Sequence, residues 1–159
     1  MATVTLISVG TLKEAYLKDA VGEYKKRLSQ YARLDQIELK EERIVNEDDP
    51  SEINRALEKE GERILTSIPK GSTVAALCVE GKEYSSVELA ELVCTAVNTT
   101  GKLTLIIGSS HGLADSVKRA ADIRLSFSRL TFPHQLMQVI LLEAMYRSFT
   151  IIAGKKYHK

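Results

Sequence analysis

The stretch Leu103-Thr104-Leu105-Ile106-Ile107-Gly108-Ser109-Ser110-His111-Gly112-Leu113 decides the fold of this chain. Apart from Thr104, its first five residues are apolar at every position. A run that short and that apolar reads as a strand covered on both faces, as in a parallel sheet. Gly108 then ends the run, and glycine can adopt backbone dihedrals closed to other residues. Residues 113–121 resume with a helical pattern, so the unit is strand, glycine-bearing loop, helix.

Working outward, the same alternation recurs on the N-terminal side. Residues 4–9 read as a buried first strand, ended by Gly10. Between 14 and 28, Leu17, Ala20, Val21, Tyr24 and Leu28 recur at helical spacing on one face. Residues 34–39 make a short second strand, and the polar, acidic stretch 40–49 reads as an exposed loop. Asp49-Pro50-Ser51-Glu52 reads as a helix start: Asp49 caps, Pro50 suits the first turn, and Glu52 can reach back. The helix carries Ile53, Ala56, Leu57, Ile64, Leu65 and Ile68 on one side and stops at Pro69-Lys70-Gly71. Residues 74–79 read as a fully buried strand, after which Glu80-Gly81-Lys82 turns the chain. Ser85 with Glu88 forms another capping box, opening a helix with Leu89, Leu92, Val93, Ala96 and Val97 on one face. On the C-terminal side, residues 123–127 alternate apolar and polar, which places them on a less buried side of the sheet. Strands alternating with helices predict an α/β fold, a mostly parallel sheet with helices on both faces, in a single domain over 1–159.

Composition narrows the class. With 159 residues, 44% hydrophobic and 27% charged, the chain has enough apolar material for a real core. No run approaches the roughly 20 apolar residues of a membrane span. The start, Met1-Ala2-Thr3-Val4, lacks the basic and apolar regions of a secretion signal, so a cytoplasmic protein without a membrane partner is expected. Cys78, inside an apolar run, and Cys94, on the apolar side of a helix, read as buried free thiols. With three scattered histidines and no Cys-x-x-Cys, no metal site is expected. The net charge of +1 hides an asymmetry. Residues 1–70 hold 12 Lys and Arg against 14 Asp and Glu, whereas residues 118–159 hold 8 against 2. A basic C-terminal quarter suits a phosphate-bearing partner, although solvated lysines alone give the same count.

Residues 135–149 form a helix with little polar face: Leu136, Met137, Val139, Ile140, Leu141, Leu142, Ala144, Met145, Tyr146 and Phe149 are spread around it. Such a helix needs more than one covering neighbour. A second subunit is one cover, and a central place in the monomer is the other.

Open α/β sheets bind ligands outside the carboxyl ends of their strands. Three strand ends qualify, at 77–80, 108–112 and 127–134. Neither the dinucleotide pattern G-x-G-x-x-G nor the phosphate loop G-x-x-x-x-G-K-[ST] occurs. In 127–134, Ser128 and Thr131 offer hydrogen bonds while Phe127, Leu130 and Phe132 offer apolar walls, the mixture of a small-molecule pocket. A helix-entry loop packed by two phenylalanines has the same composition. The tail Gly154-Lys155-Lys156-Tyr157-His158-Lys159 joins cations to rings that can stack on unpaired bases. A frayed terminus is the plainer alternative, but the tail follows directly on a helix that has to be buried.

The run Leu125-Ser126-Phe127-Ser128-Arg129-Leu130-Thr131-Phe132-Pro133-His134 closely resembles the signature loop of the ribosomal large-subunit methyltransferase H family. The segments Ile107-Gly108-Ser109-Ser110-His111-Gly112-Leu113, Glu143-Ala144-Met145-Tyr146-Arg147, Ser8-Val9-Gly10-Thr11-Leu12-Lys13 and the terminal Tyr157-His158-Lys159 resemble it too. The resemblance covers essentially the whole chain. It implies the SPOUT superfamily, whose α/β fold threads its C-terminal part into a trefoil knot. It further implies a homodimer that binds S-adenosylmethionine among the knotted loops, next to the dimer interface. The implied reaction is methylation of N3 of a pseudouridine in helix 69 of 23S ribosomal RNA, on the assembled ribosome. Carried over residue by residue, the cofactor contacts fall on Leu77, Gly108, Phe127, Ser128, Arg129, Leu130, Thr131 and Phe132. Tyr157, His158 and Lys159 would face the substrate. Relatives commonly have glycine where this chain has Ser109, which bears on the backbone shape there.

A sulfonium methyl donor is already activated, so the transfer needs alignment and a nucleophilic nitrogen rather than a metal. Alignment contributes roughly 7–11 kcal/mol in favourable cases. The imide proton on N3 has to leave, and His134, Arg147 and His158 are the candidates to take it or to stabilise the anion. Arg147 can instead pair with Glu143 one turn earlier, and His134 can simply cap or pack its helix. Two competing classes are a non-enzymatic ribosome- or RNA-binding module and a SPOUT enzyme with another RNA target.

Overall fold

The computed structural model describes residues 1–159. Its strands are β1 (Ala2–Val9), β2 (Ala32–Leu39), β3 (Thr73–Glu83), β4 (Lys102–Ile107) and β5 (Ile123–Ser126). Its helices are α1 (Ala15–Leu28), α2 (Pro50–Ser67), α3 (Ser86–Thr100), α4 (Asp115–Ala120) and α5 (His134–Ile152). The strands form one sheet in the order β2-β1-β4-β3-β5, and every pairing is parallel. The predicted α/β fold is therefore present, with strand and helix positions within a few residues of those read from the sequence.

Strand pleating divides the core in two. Val4 and Leu6 of β1, Leu103, Leu105 and Ile107 of β4, and Ala75 of β3 join α1, α3 and α5 on one face. Ile7 and Val9, Ile106, and Val74 and Ala76 point the other way, onto Ile64 of α2 and Val117 of α4. Both alternating sets of positions are apolar because both faces are covered. β5 is an edge strand, and the less buried side expected of it is confined to Arg124, because Ser126, the other polar position, is buried.

Local corrections are informative. Asp49 caps α2 by accepting from the Ser51 amide at 3.0 Å, as its type predicts. Glu52 does reach back, but beyond the cap, to the amides of Val45 and Asn46 at 2.6 and 3.1 Å. Ser85 accepts from the Glu88 amide at 3.1 Å and caps α3, and Gly101 closes that helix at φ 71°. The predicted burial of residues 74–79 stops short: Leu77 and Cys78 are half-buried and Val79 is exposed. Glu80-Gly81-Lys82 does not end the strand. Leu77 and Lys82 both pair with Leu125, so residues 78–81 leave the ladder as an excursion and β3 then rejoins β5. Cys94, like Cys78, is a free thiol only half-buried, and Leu65 lies on the open side of α2.

α5 packs against α3, α1 and β4. Leu141, Leu142 and Met145 are fully buried there. Elements of the same chain thus supply most of its cover. Leu136 and Ile152 remain exposed, and Ile140 and Ala144 half-buried.

Candidate active site

The carboxyl ends of β3, β4 and β5 surround a cavity of about 360 Å³. That is within the size range of small-molecule sites. The cavity's walls come from all three predicted strand ends. Leu77 lies at the end of the regular part of β3, Gly108 directly after β4, and Phe127, Ser128, Leu130, Thr131 and Phe132 after β5. Arg129 is the one carried-over cofactor residue outside that wall. Its neighbours are turned by Ser128, whose Oγ accepts from the Leu130 amide at 3.0 Å. Ser126 Oγ donates to the Ser128 carbonyl at 3.2 Å, so the turn is held from both sides.

Gly108 is required by space. A Cβ there would lie 2.7 Å from the Gly112 carbonyl carbon and 2.9 Å from Leu113 Cδ2. Gly112, at φ 89°, closes the loop by donating its N–H to the Ser109 carbonyl at 2.9 Å. Ser109 itself has no positive φ, so the backbone accepts a serine in place of glycine without strain. Its hydroxyl is turned away from solvent and donates to Glu60 Oε1 at 3.0 Å.

Cys78, Glu80 and His111, inside the strand ends at 77–80 and 108–112, line the cavity, and so do Lys118 and Met137, which carried no site signal in the sequence. The β3 excursion brings in Cys78 and Glu80, and nothing in the local pattern foretold it. Glu80 accepts from Lys118 Nζ at 2.5 Å, and this bond holds its carboxyl below the usual range. Burial pushes the Cys78 thiol up, so it stays protonated at neutral pH.

The three candidate catalytic residues separate into two places. His134, the first residue of α5, lines the cavity, and its Nε2 lies 3.6 Å from where a Cβ on Gly10 would be. Arg147 is 13 residues further along α5, roughly 20 Å down the helix axis at 1.5 Å per residue. It pairs with Glu143, Nη2 to Oε1 at 2.7 Å, which is the structural pairing weighed above. It also meets His158, Nη1 to Nδ1 at 3.2 Å, and lies 4.8 Å from the Tyr157 ring centroid. Tyr157 donates its hydroxyl to Glu143 Oε1 at 3.0 Å and packs edge-on against Tyr146. Burial, then that hydrogen bond, raises the Tyr157 pKa, and the hydrogen bond to Glu143 raises that of Arg147. The tail is thus folded back onto α5 as far as His158. Lys159 is exposed.

A second, smaller hollow shares Phe127 with the cavity and Glu143 and Arg147 with the cluster. Phe127 lines both cavities, and Tyr84, Ser85, Ile140, Ala144, Glu143 and Arg147 help to line the second. No helix is long and apolar enough to cross a membrane.

A family model described as "Predicted SPOUT methyltransferase" matches residues 2–158. Ribosomal RNA large subunit methyltransferase H of Carboxydothermus hydrogenoformans is 49% identical over 98% of this chain and 99% of its own. The protein of that name from Caldicellulosiruptor bescii is 47% identical, and that from Streptococcus pneumoniae 45%, each over 98% of this chain and 99% of its own. A methylase family protein from Haemophilus influenzae Rd KW20 shares the fold, with a TM-score of 0.57 at 15% identity over 98% of this chain and 70% of its own. With the family model matched along nearly the full chain and relatives 45–49% identical over almost their whole length, the chain belongs to the SPOUT methyltransferase family.

Proposed function

We propose that this chain is an S-adenosylmethionine-dependent methyltransferase acting on 23S ribosomal RNA, at N3 of a pseudouridine in helix 69. The observation that carries the reading is the cavity enclosed by the carboxyl ends of β3, β4 and β5, with the 108–112 loop folded tightly on Gly108 along one wall. The relatives' printed names, ribosomal RNA large subunit methyltransferase H, supply the substrate class.

The residues present fit the cofactor. Gly108 lets the 108–112 loop fold back tightly at the β4 end, Leu77, Leu130 and Phe132 offer apolar walls, and the turn after β5 offers backbone groups. Arg129, outside the wall, contributes through its backbone within that turn. When bound, the cofactor supplies a sulfonium-activated methyl group. The chain's own task is to exclude water, align the base and manage the imide proton at N3. His134 is placed at the cavity to accept that proton or a water-relayed one. Arg147 stays cationic and can stabilise the developing anion, with Tyr157, His158 and Lys159 holding the base or its neighbours.

The roughly 20 Å between His134 and Arg147 along α5 favours a site shared between subunits. The chain works as a homodimer, with the open side of α5, at Leu136 and Ile140, against the partner. Such a dimer brings one subunit's tail cluster to the other's cavity. The trefoil knot of the superfamily belongs to the C-terminal half. What supports it is the family match over residues 2–158. The enzyme meets its RNA in the cytoplasm, within the assembled ribosome.

Mass spectrometry of helix 69 fragments from cells lacking the protein tests the target, with titration calorimetry of S-adenosylmethionine beside it. Loss of one methyl group from the pseudouridine and measurable binding are expected. Unchanged methylation overturns the target, and absent binding leaves a non-enzymatic RNA-binding module.

A further inference from the structure

α2 meets the loop after β4 through two adjacent residues, neither of which lines the cavity. Glu60 is 3% exposed although it is a carboxylate, and it interrupts a helix stripe otherwise made of Ala56, Leu57 and Ile64. Its two oxygens are divided. Oε2 accepts from the Glu42 amide at 2.9 Å, and Oε1 accepts from Ser109 Oγ at 3.0 Å. Gly61, the next residue, allows α2 to close on the other end of the same loop. A Cβ on Gly61 would lie 3.1 Å from Ala114 Cβ and 3.4 Å from Val117 Cγ2. α2 therefore grips the segment at Ser109 and again at Ala114.

Burying a carboxylate is unfavourable unless its oxygens are hydrogen-bonded, and an apolar residue on this stripe would serve the core better. What the carboxylate provides is a fixed pair of acceptors, one for the segment after β2 and one for the loop beside Gly108. Ser109 donates into it while its own backbone forms the turn closed by the Gly112 N–H. Ser109 lines the cavity and Glu60 does not.

We infer that Glu60 is a positioning residue: through Ser109 Oγ it holds the 108–112 loop in the shape that admits the cofactor beside Gly108. The inference rests on reading that cavity as the cofactor site. Glu60 touches no ligand and acts only through the loop.

The test uses the full-length protein as wild type, Ser109→Ala, Glu60→Leu, which removes both acceptors where Gln would keep a partner for Ser109, and the double variant. Amide hydrogen exchange at residues 108–113 is followed without ligand, and the S-adenosylmethionine Kd by calorimetry. Each single variant is expected to speed loop exchange about tenfold and to weaken the cofactor about five- to tenfold, the effect of one lost buried hydrogen bond. The double variant is expected to be no worse than the worse single one. Wild-type exchange and affinity in both singles, or full additivity in the double, overturns the inference. So does a lower melting temperature for Glu60→Leu with no change at the loop, the mark of a purely structural carboxylate. If Glu60→Leu does not fold, Ser109→Ala alone decides by the same two readouts. If the wild type binds no S-adenosylmethionine, the cofactor reading falls, and loop exchange still shows whether Glu60 holds Ser109.

Discussion

The cavity at the start of α5 and the Glu143–Arg147–Tyr157–His158 cluster further along it are built in opposite ways. The cavity is mainly backbone and apolar wall, and its one tight ion pair, Glu80 with Lys118, sits among the wall residues. The cluster is almost all side-chain polarity. Glu143 accepts from both Arg147 and Tyr157, and Arg147 meets His158. A site made of main chain tolerates many side chains but no intrusion. A site made of paired charges tolerates rearrangement but loses function with any one member.

Gly108→Ala breaks the first kind of site. Its methyl group would overlap the Gly112 carbonyl, and no rotamer relieves a Cβ. S-adenosylmethionine affinity measured by calorimetry should fall by about 100-fold or more, since a displaced loop loses several contacts at once. A variant within a few-fold of wild type would show that the loop gives way easily.

Arg147→Ala attacks the second kind. Single-turnover methylation of ribosomal substrate should slow by roughly 10²-fold, as when a transition-state donor is removed. Cofactor affinity should change little by comparison. Equal loss in both would merge the two regions into one site and remove the contrast. A pH–rate profile for His158→Ala and His134→Ala then asks which imidazole takes the proton. Loss of the acidic limb in one variant identifies it.

Tyr157→Phe is milder. It removes one hydrogen bond to a carboxylate and keeps the ring, so it should weaken the tail's attachment by about 1 kcal/mol. Faster amide exchange at the last residues would show it, and unaltered exchange would mean that ring packing alone holds the tail.

The smallest effect concerns pH. Burial holds the Glu60 carboxyl above its ordinary value of 4.5. A carboxyl raised in the folded state binds protons there more readily than in the unfolded chain. Its charge therefore destabilises the fold above the raised pKa, and that cost fades as pH falls through it toward the ordinary value. Denaturant titrations should show wild type gaining stability relative to Glu60→Gln as pH falls through that window. A gap independent of pH would remove the charge from the account.

The fold was largely legible because both faces of the sheet are covered, and continuous apolar runs such as 103–107 have few other uses. The loops that line the cavity were legible as loops at strand ends. What escaped was long-range. The burial of Glu60 follows from Ser109, 49 positions away, although a carboxylate between Leu57 and Ile64 on an apolar stripe was a sign open to reading. Arg129 came with the run by resemblance, and only the Ser128 turn decides which side chains of that run face the cavity. α5 read as a helix needing several covers, but periodicity could not apportion them between α1, α3, the sheet and a partner.

The excursion at residues 78–81 has a consequence for how this enzyme can change. Leu77 and Lys82 share one partner, Leu125, so the ladder closes over the excursion as if those residues were absent. Gly81 lies so close to β5 that a Cβ there would fall 2.8 Å from the Arg124 backbone, which anchors the return. Residues 78–80, between Leu77 and Gly81, can change without altering the strand pairing, whereas Gly81 has no space for a side chain. The wall that carries Cys78 and Glu80 is a replaceable panel in a fixed frame, where the cavity can be reshaped while the sheet keeps its register.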